Sequence, residues 1–366
     1  MKIERINILN FKNISDATLE FSSGVNCLLG RNGMGKSNLL EAIHFMCMSR
    51  PMTAMPEISL LRHGSDLMSV KGDFRMDDAT DQTVSIGIVR GKGKILKCNG
   101  KVYERISQHI GRFPTVCVTP RDNELVSGPG EERRRLMDMV ISQAEPAYLS
   151  QLMRYNRALE SRNRMLRAGV RDALLYESVE SGMAEAAATV STSRRRWVEE
   201  IAPEVSRYYS EIAGCSEKAG IEYRSVLNGT TLLEEFQRTR GKDAALGFTS
   251  SGVHRDDLST TLDGYSLRRL GSQGQVKTFT IAMRLAIFDY LKRNGGETPL
   301  LLLDDIFDKL DSGRVGRIMQ LVSRSAGFGQ IFITDTNREH LDETLSCLSG
   351  EKRLLEVSDG TFTHIG

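Results

Sequence analysis

The sequence predicts an α/β protein: a phosphate-binding head in two halves, with a β-meander subdomain and an all-helical inserted lobe. Three observations carry this. The apolar run Val25-Asn26-Cys27-Leu28-Leu29 flows into a glycine-rich loop and then into a helical pattern. A second apolar run, Leu300 to Leu303, ends in two adjacent carboxylates, Asp304 and Asp305. Between them, from 131 to about 240, the chain is poor in strand signals and rich in Arg, Glu, Ala, Leu and Met, which favour helix.

Each element follows from its pattern. Ile3, Ile6 and Ile8 stand among charged or polar neighbours, so residues 2–9 read as a strand. Ala17 to Phe21 alternates again and stops at the turn Ser22-Ser23-Gly24. Residues 25–29 read as a buried strand, and Ser37 to Met48 as a helix. Residues 65–105 read as a meander broken at Gly72, Gly91 and Gly93, with Asn99-Gly100 as a two-residue hairpin turn. Residues 112–119 supply one more strand. A helix is expected over about 146–171, because Tyr148, Leu152, Tyr155, Leu159 and Leu166 share one stripe at about 100° per residue. Strand character returns near Gly247. The expected organisation is a head half at 1–125, a helical insertion at 126–244, and the second head half at 245–366.

Composition bounds the function. The chain has 366 residues, with 49 Lys+Arg against 47 Asp+Glu, a net charge of +2. That balance excludes a polybasic coat, so any nucleic-acid contact must use a local patch. Apolar residues run along the whole chain, which disfavours disorder. No segment approaches the ~20 apolar residues of a membrane helix. Met1-Lys2-Ile3-Glu4-Arg5 lacks the apolar core of a signal peptide. A cytoplasmic protein with no membrane partner is expected. The 6 cysteines are scattered and form no C-x-x-C pair, so free thiols are expected.

Gly30-Arg31-Asn32-Gly33-Met34-Gly35-Lys36-Ser37 matches G-x-x-x-x-G-K-[ST] in full. Glycines let the backbone curl so that successive N–H groups point at phosphate oxygens. Lys36 is expected to reach the β- and γ-phosphates of ATP, and the Ser37 hydroxyl to ligate Mg²⁺. The loop residues through Asn38 are the expected nucleotide contacts. The following helix adds its positive N-terminal end. The plainer alternative is a glycine-rich turn, but strand, loop and helix come in the order that the phosphate loop requires. Asp304 is expected to hold Mg²⁺, directly or through water, and Asp305 to orient the attacking water. Alone, that acidic strand end could be a helix cap.

Three more pieces narrow the class. Leu270-Gly271-Ser272-Gln273-Gly274-Gln275 opens a helical segment shortly before the acidic strand. It resembles the signature of ATP-binding-cassette (ABC) ATPases. Asp308-Lys309-Leu310-Asp311 follows that strand as the D-loop of those ATPases does. Ile331-Phe332-Ile333-Thr334 then forms the next strand. In such ATPases the signature grips a γ-phosphate held by the opposite subunit. The resemblance therefore implies an ATP-clamped homodimer with two composite sites, in which Ser272, Gly274, Gln275, Asp311 and Thr334 join the nucleotide contacts. The role of Asp335 stays open.

Within that class the chain resembles the RecF family of bacterial recombination mediators. The resemblance rests on Asn10-Phe11-Lys12-Asn13, on Asn38-Leu39-Leu40-Glu41-Ala42-Ile43 and on Pro120-Arg121-Asp122-Asn123-Glu124-Leu125-Val126. It rests also on Arg133-Arg134-Arg135-Leu136-Met137-Asp138, Tyr155-Asn156-Arg157-Ala158-Leu159, Arg162-Asn163 and Gly252-Val253-His254-Arg255-Asp256-Asp257. Lys12 departs from the family's usual Arg, and Val253 from its usual Pro. Asp305 stands where transporters carry Glu, although RecF proteins share the Asp; its shorter side chain suggests slow hydrolysis, and a slow, DNA-stimulated ATPase used as a dimerisation switch is expected. The family implies binding to double-stranded DNA and to single-strand/double-strand junctions, with RecR and RecO as partners and RecA served indirectly. It also implies a link to replication restart and the SOS response.

Candidate DNA contacts are Arg157, Arg164, Arg167 and Arg171, opposite or beside the apolar stripe of the first long lobe helix. A solvated face with snorkelling arginines is the plainer reading. Arg194-Arg195-Arg196 beside Trp197, and the hairpin lysines Lys92, Lys94, Lys97 and Lys101, are further basic clusters. His254, Arg255 and Asp256 are expected to be structural rather than catalytic. Two other functions remain: a different ABC-type ATPase of chromosome maintenance, and a small-molecule phosphotransferase.

Overall fold

A computed structural model describes residues 1–307, 310–324, 327–339, 341 and 350–365. Fifteen strands and nine helices are named among the described residues. The strands are β1 (Lys2–Phe11), β2 (Ile14–Glu20), β3 (Val25–Leu29), β4 (Leu67–Arg75), β5 (Asp81–Val89), β6 (Gly93–Cys98), β7 (Lys101–Val102) and β8 (Thr115–Val118). They continue as β9 (Ala219–Arg224), β10 (Asp257–Leu262), β11 (Tyr265–Ser266), β12 (Leu300–Leu303), β13 (Ile331–Asp335), β14 (Lys352–Ser358) and β15 (Thr361–His364). The helices are α1 (Lys36–Met48), α2 (Glu124–Ser127), α3 (Gly130–Ala144), α4 (Pro146–Arg167) and α5 (Ala173–Ala213). After them come α6 (Leu232–Leu246), α7 (Leu267–Leu270), α8 (Gln273–Asn294) and α9 (Ser312–Arg324).

The chain divides into two compact units: Met1–Asp122 with Glu211–Gly214 and Ile287–Gly366, and Asn123–Ser210 with Cys215–Ala286.

The first unit contains two six-stranded sheets, ordered β2-β1-β4-β5-β6-β7 and β15-β14-β3-β13-β12-β8. Within the former, β4 to β7 form the expected meander, although Gly72 lies inside β4 and does not break it. Its Asn99-Gly100 turn has positive φ at both residues, 49° and 78°, the backbone that a two-residue hairpin requires. Ile3 and Ile6 both face inward although three residues apart, because the register against β4 shifts between Ile3 and Arg5. In the second sheet β14, β3, β13, β12 and β8 run parallel. All four leucines of β12 are buried, as expected for a strand covered on both faces. Helix α1 meets strands of both sheets: β1, β4 and β5 of one, β8 and β13 of the other. That explains why it is apolar nearly all round rather than striped.

The second unit is mostly helical, but the insertion expected to be all-helical is not. Strand β9 lies inside 126–244 and pairs antiparallel with β10 along its whole length, from Ala219↔Leu262 to Arg224↔Asp257. Six residues of weak alternation do not stand out against helix formers, and the pairing partner lies outside the insertion. Strand β11 completes this three-stranded sheet. The unit runs on to Ala286, so the signature segment belongs to it. The long helix of the apolar stripe ends at Arg167, which leaves Arg171 beyond it.

Candidate functional site

The site stands at the carboxyl ends of three adjacent parallel strands. Strands β3, β13 and β12 are neighbours, with Leu28 opposite Thr334 and Ile333 opposite Leu303. The loop after β3, the end of β13 and the acids after β12 therefore reach one edge together. That edge is where parallel α/β sheets bind ligands.

Residues 30–35 join β3 to α1. Gly35 caps the helix at φ 114°, a backbone that L side chains rarely adopt. A Cβ there would also come within 2.9 Å of Asn13 Oδ1. The first N–H groups of α1 have no helical acceptor, so they and the helix dipole present a positive end. Lys36 is buried, and its ammonium donates to the carbonyls of Gly30 at 2.6 Å and Arg31 at 3.0 Å. Burial pulls its pKa below the ordinary value, while Asp305, Asp304 and Asp335 act in the other direction.

One carboxylate oxygen organises the acidic side. Asp304 Oδ1 accepts from the Ser37 hydroxyl at 2.8 Å and from the Thr334 hydroxyl at 2.8 Å. The Thr334 oxygen in turn accepts the Asp305 N–H at 2.9 Å. Burial pushes the Asp304 carboxyl up from its usual range, against these two hydrogen bonds, which favour the charged form. Asp305 is only partly buried and has φ 48°, the left-handed region that Asp tolerates better than most residues. Asp335 is buried, and its Oδ1 accepts the N–H groups of Thr336 at 2.6 Å and Asn337 at 2.9 Å.

The cleft of about 110 Å³ is lined by Asn32, Gly33, Lys36, Ser37, Asp304 and Asp305, with Gly35, Asn38 and Thr334 completing it. Its chemistry is that of a phosphate site beside a hard cation. The Ser37 hydroxyl and the Asp304 carboxylate are the few oxygen ligands that Mg²⁺ takes from protein when phosphates supply others. No cluster of three metal-ligating His, Cys, Asp or Glu occurs among the described residues.

The Asn10-Phe11-Lys12-Asn13 motif contributes one further residue to this site. Asn13 donates to the Met34 carbonyl at 3.2 Å and accepts from Asn38 Nδ2 at 2.7 Å, so it ties the loop to the head. Ser272, Gly274 and Gln275 fall in the other unit, at the start of α8. There Ser272 accepts the Gln275 N–H at 3.2 Å, and Gln275 Oε1 accepts the Ser272 N–H at 2.9 Å. This reciprocal capping box leaves Ser272 exposed. Of the D-loop, Asp311 is exposed, whereas Asp308 and Lys309 lie outside the described residues, as does Cys347.

The basic clusters sort themselves by burial. Arg157, Arg164, Arg167 and Arg171 are exposed, and Arg164 stands 3.5 Å from Glu160 on the same helix. Arg194 corrects the second cluster, because it is buried. It donates to Asp256 at 2.9 Å, to Asp138 at 2.7 Å and to the Val253 carbonyl at 2.7 Å. Among the hairpin lysines, Lys94 is engaged by the Ser49 carbonyl and Glu57. His254 binds the Tyr155 hydroxyl at 2.7 Å and the Thr249 carbonyl at 3.0 Å, a structural placement.

Residues 2–353 match the family described as RecF/RecN/SMC N terminal domain. The DNA replication and repair protein RecF of Porphyromonas gingivalis is 46% identical over 361 residues, which is 98% of this chain and 99% of that one. A solved structure of the recombination mediator protein RecF with ATPrS, of the RecFOR pathway, superposes with a TM-score of 0.88. It is 28% identical and covers 100% of this chain and 98% of its own. The Smc head domain of Pyrococcus furiosus, solved with the C-terminal domain of ScpA, shares the fold. Its TM-score is 0.59 and its identity 17%, covering 99% of this chain and 95% of that one. The head is thus an ABC-ATPase fold of the RecF and SMC kind. With a relative of such identity aligned from end to end of both chains, the protein belongs to the RecF family of DNA replication and repair proteins.

Proposed function

We propose that the protein is an ATP-dependent, DNA-binding recombination mediator that dimerises on ATP, binds gapped or junction DNA and helps to load RecA onto single-stranded DNA. The observation that carries this is the meeting of Ser37, Asp304 and Thr334 beside the phosphate loop. The loop N–H groups and Lys36 hold the phosphates of ATP. Ser37 and Asp304 hold Mg²⁺, which neutralises phosphate charge when bound. Thr334 fixes both acids, so that Asp305 can orient a water. A role for Thr334 as a γ-phosphate contact competes with the hydrogen bonds that it already makes.

The exposed cap Ser272, with Gly274 and Gln275, supports a composite site completed by a second copy of the chain. Asp311 joins that interface in this reading. RecR and RecO are the partners that the RecF resemblance implies, and the short Asp305 side chain supports slow hydrolysis that resets the dimer. No helix among the described residues is long and apolar enough to cross a membrane.

The test is size analysis with and without ATP and gapped DNA, followed by addition of RecR. A dimer that appears only with ATP and persists on DNA supports the proposal. A monomer that phosphorylates a small molecule would replace it with the phosphotransferase reading.

A further inference from the structure

A groove of about 560 Å³ in the second unit has four arginines in its lining, Arg133, Arg224, Arg268 and Arg269, and one acid, Asp257. Asp257 is fully engaged. It takes Arg133 Nε at 2.6 Å on one oxygen and a second guanidinium nitrogen at 2.9 Å on the other. Arg133 also donates to the carbonyls of Leu125 and Gly128, at 3.2 Å and 3.0 Å, which holds it in the wall. The remaining three arginines, Arg224, Arg268 and Arg269, are exposed and have no acid partner among the described residues. Glu222, next along β9 but one from Arg224, is a nearby acid. It accepts the Ser259 hydroxyl at 3.3 Å.

The remaining lining is hydroxyl-rich: Ser259, Thr260, Thr261 and Ser266 along β10 and β11. Arginines without acid partners that share a groove with hydroxyl side chains suit an anion, and guanidinium geometry matches phosphate oxygens. Arg224 ends β9, whereas Arg268 and Arg269 lie on α7. The cations are therefore spread over separate elements, which suits several phosphates in a row better than one. Among the described residues no aromatic ring lines the groove, so it offers no platform for a base or a nucleoside.

We propose that this groove binds the phosphodiester backbone of a nucleic acid, by charge and without base readout. The proposal rests on the DNA-binding reading above and adds a surface distinct from the Arg157–Arg171 ridge. The test uses the full-length protein with ATP and a labelled gapped duplex, followed by fluorescence anisotropy over a salt series. The variants are Arg224→Gln alone and Arg224→Gln, Arg268→Gln and Arg269→Gln together, each checked for an unchanged melting temperature and unchanged ATP-dependent size. The triple variant should lose tenfold or more in affinity. Its log–log salt slope should fall by about 2–3, because each phosphate contact contributes roughly 0.9. The single change, which is remote from the signature in sequence, should lower the slope by about 1 and keeps the test open if the triple variant misfolds.

Wild-type affinity and slope in folded variants would overturn the groove while leaving the DNA-binding reading intact. Failure of the wild-type protein to bind DNA would overturn that reading and the proposal together. If the triple variant binds DNA normally but no longer associates with ATP, the groove serves a nucleotide's polyphosphate and the proposal fails.

Discussion

The hydroxyl of Ser37 and the carboxylate of Asp304 meet at 2.8 Å, 267 residues apart in the chain. One side chain lies in the first turn of α1 and the other directly follows β12. Their meeting turns a glycine-rich loop and an acidic strand end into one site. Thr334 closes the arrangement by donating to the same oxygen.

Lys36→Ala removes the only side-chain ammonium lining this cleft among the described residues. Nucleotide binding should fall at least a hundredfold, and ATP-dependent dimerisation should vanish, with the fold unchanged. A fluorescent ATP titration beside circular dichroism checks this. Retained affinity would move the nucleotide elsewhere.

Asp305→Asn keeps the backbone hydrogen bond to Thr334 but removes the charge proposed to orient water. ATP should still bind, and the dimer should become long-lived because hydrolysis stops. Size analysis during an ATP chase reads this out. Wild-type turnover above about 10 s⁻¹ would contradict the slow switch.

Ser272→Arg places a bulky cation on the exposed helix cap. The isolated chain should bind ATP normally but fail to dimerise, and loss of the cap should cost about 1 kcal/mol of stability. Normal dimerisation would exclude the composite site.

Arg162 is buried between Glu180 at 2.9 Å and Asp243 at 2.7 Å, with Thr249 at 2.9 Å. Arg162→Ala leaves Asp243 buried without its cation and Glu180 with only Arg240, at 3.8 Å. The cost should be about 3–5 kcal/mol, read by urea denaturation. A loss below about 1 kcal/mol would show that the pair is solvated.

Burial lowers the His109 pKa from 6.5 to about 4. Its Nε2–H donates to the Met46 carbonyl at 2.9 Å, and Nδ1 accepts from the Tyr103 hydroxyl at 3.2 Å, so the ring is held neutral. His254 is likewise lowered by burial to about 4. Between these values the unfolded chain binds more protons than the folded one. Their stabilisation is complete above pH 6.5 and is lost as pH falls toward 4. The loss is on the order of 3 kcal/mol for His109. Denaturation at pH 7, 5.5 and 4.5 should show this slope, and His109→Gln should flatten part of it.

Several features were legible because they are local. The Asn99-Gly100 turn needs two positive φ angles, and those residue types supply them. The four leucines of β12 read as a buried strand, and all four are buried. The phosphate loop declared itself by spacing. The arginines were harder, because Arg162 and Arg194 carry the same charge in sequence as Arg157 and Arg164. Burial separates them, and it depends on Glu180, Asp243, Asp138 and Asp256, which lie far along the chain. Strand β9 was hidden for the same reason, since its ladder is made with β10.

The sequence by itself determined the loop, the acids, the hairpin and the kind of chemistry that they serve, because each follows from residue type and short spacing. Tertiary structure alone decided that Ser37, Asp304 and Thr334 share one oxygen, that Arg162 and Arg194 are core cations, and that Arg224 lines a groove with Arg268 and Arg269. Those facts depend on contacts between distant residues, and only the closed fold specifies which distant residues become neighbours.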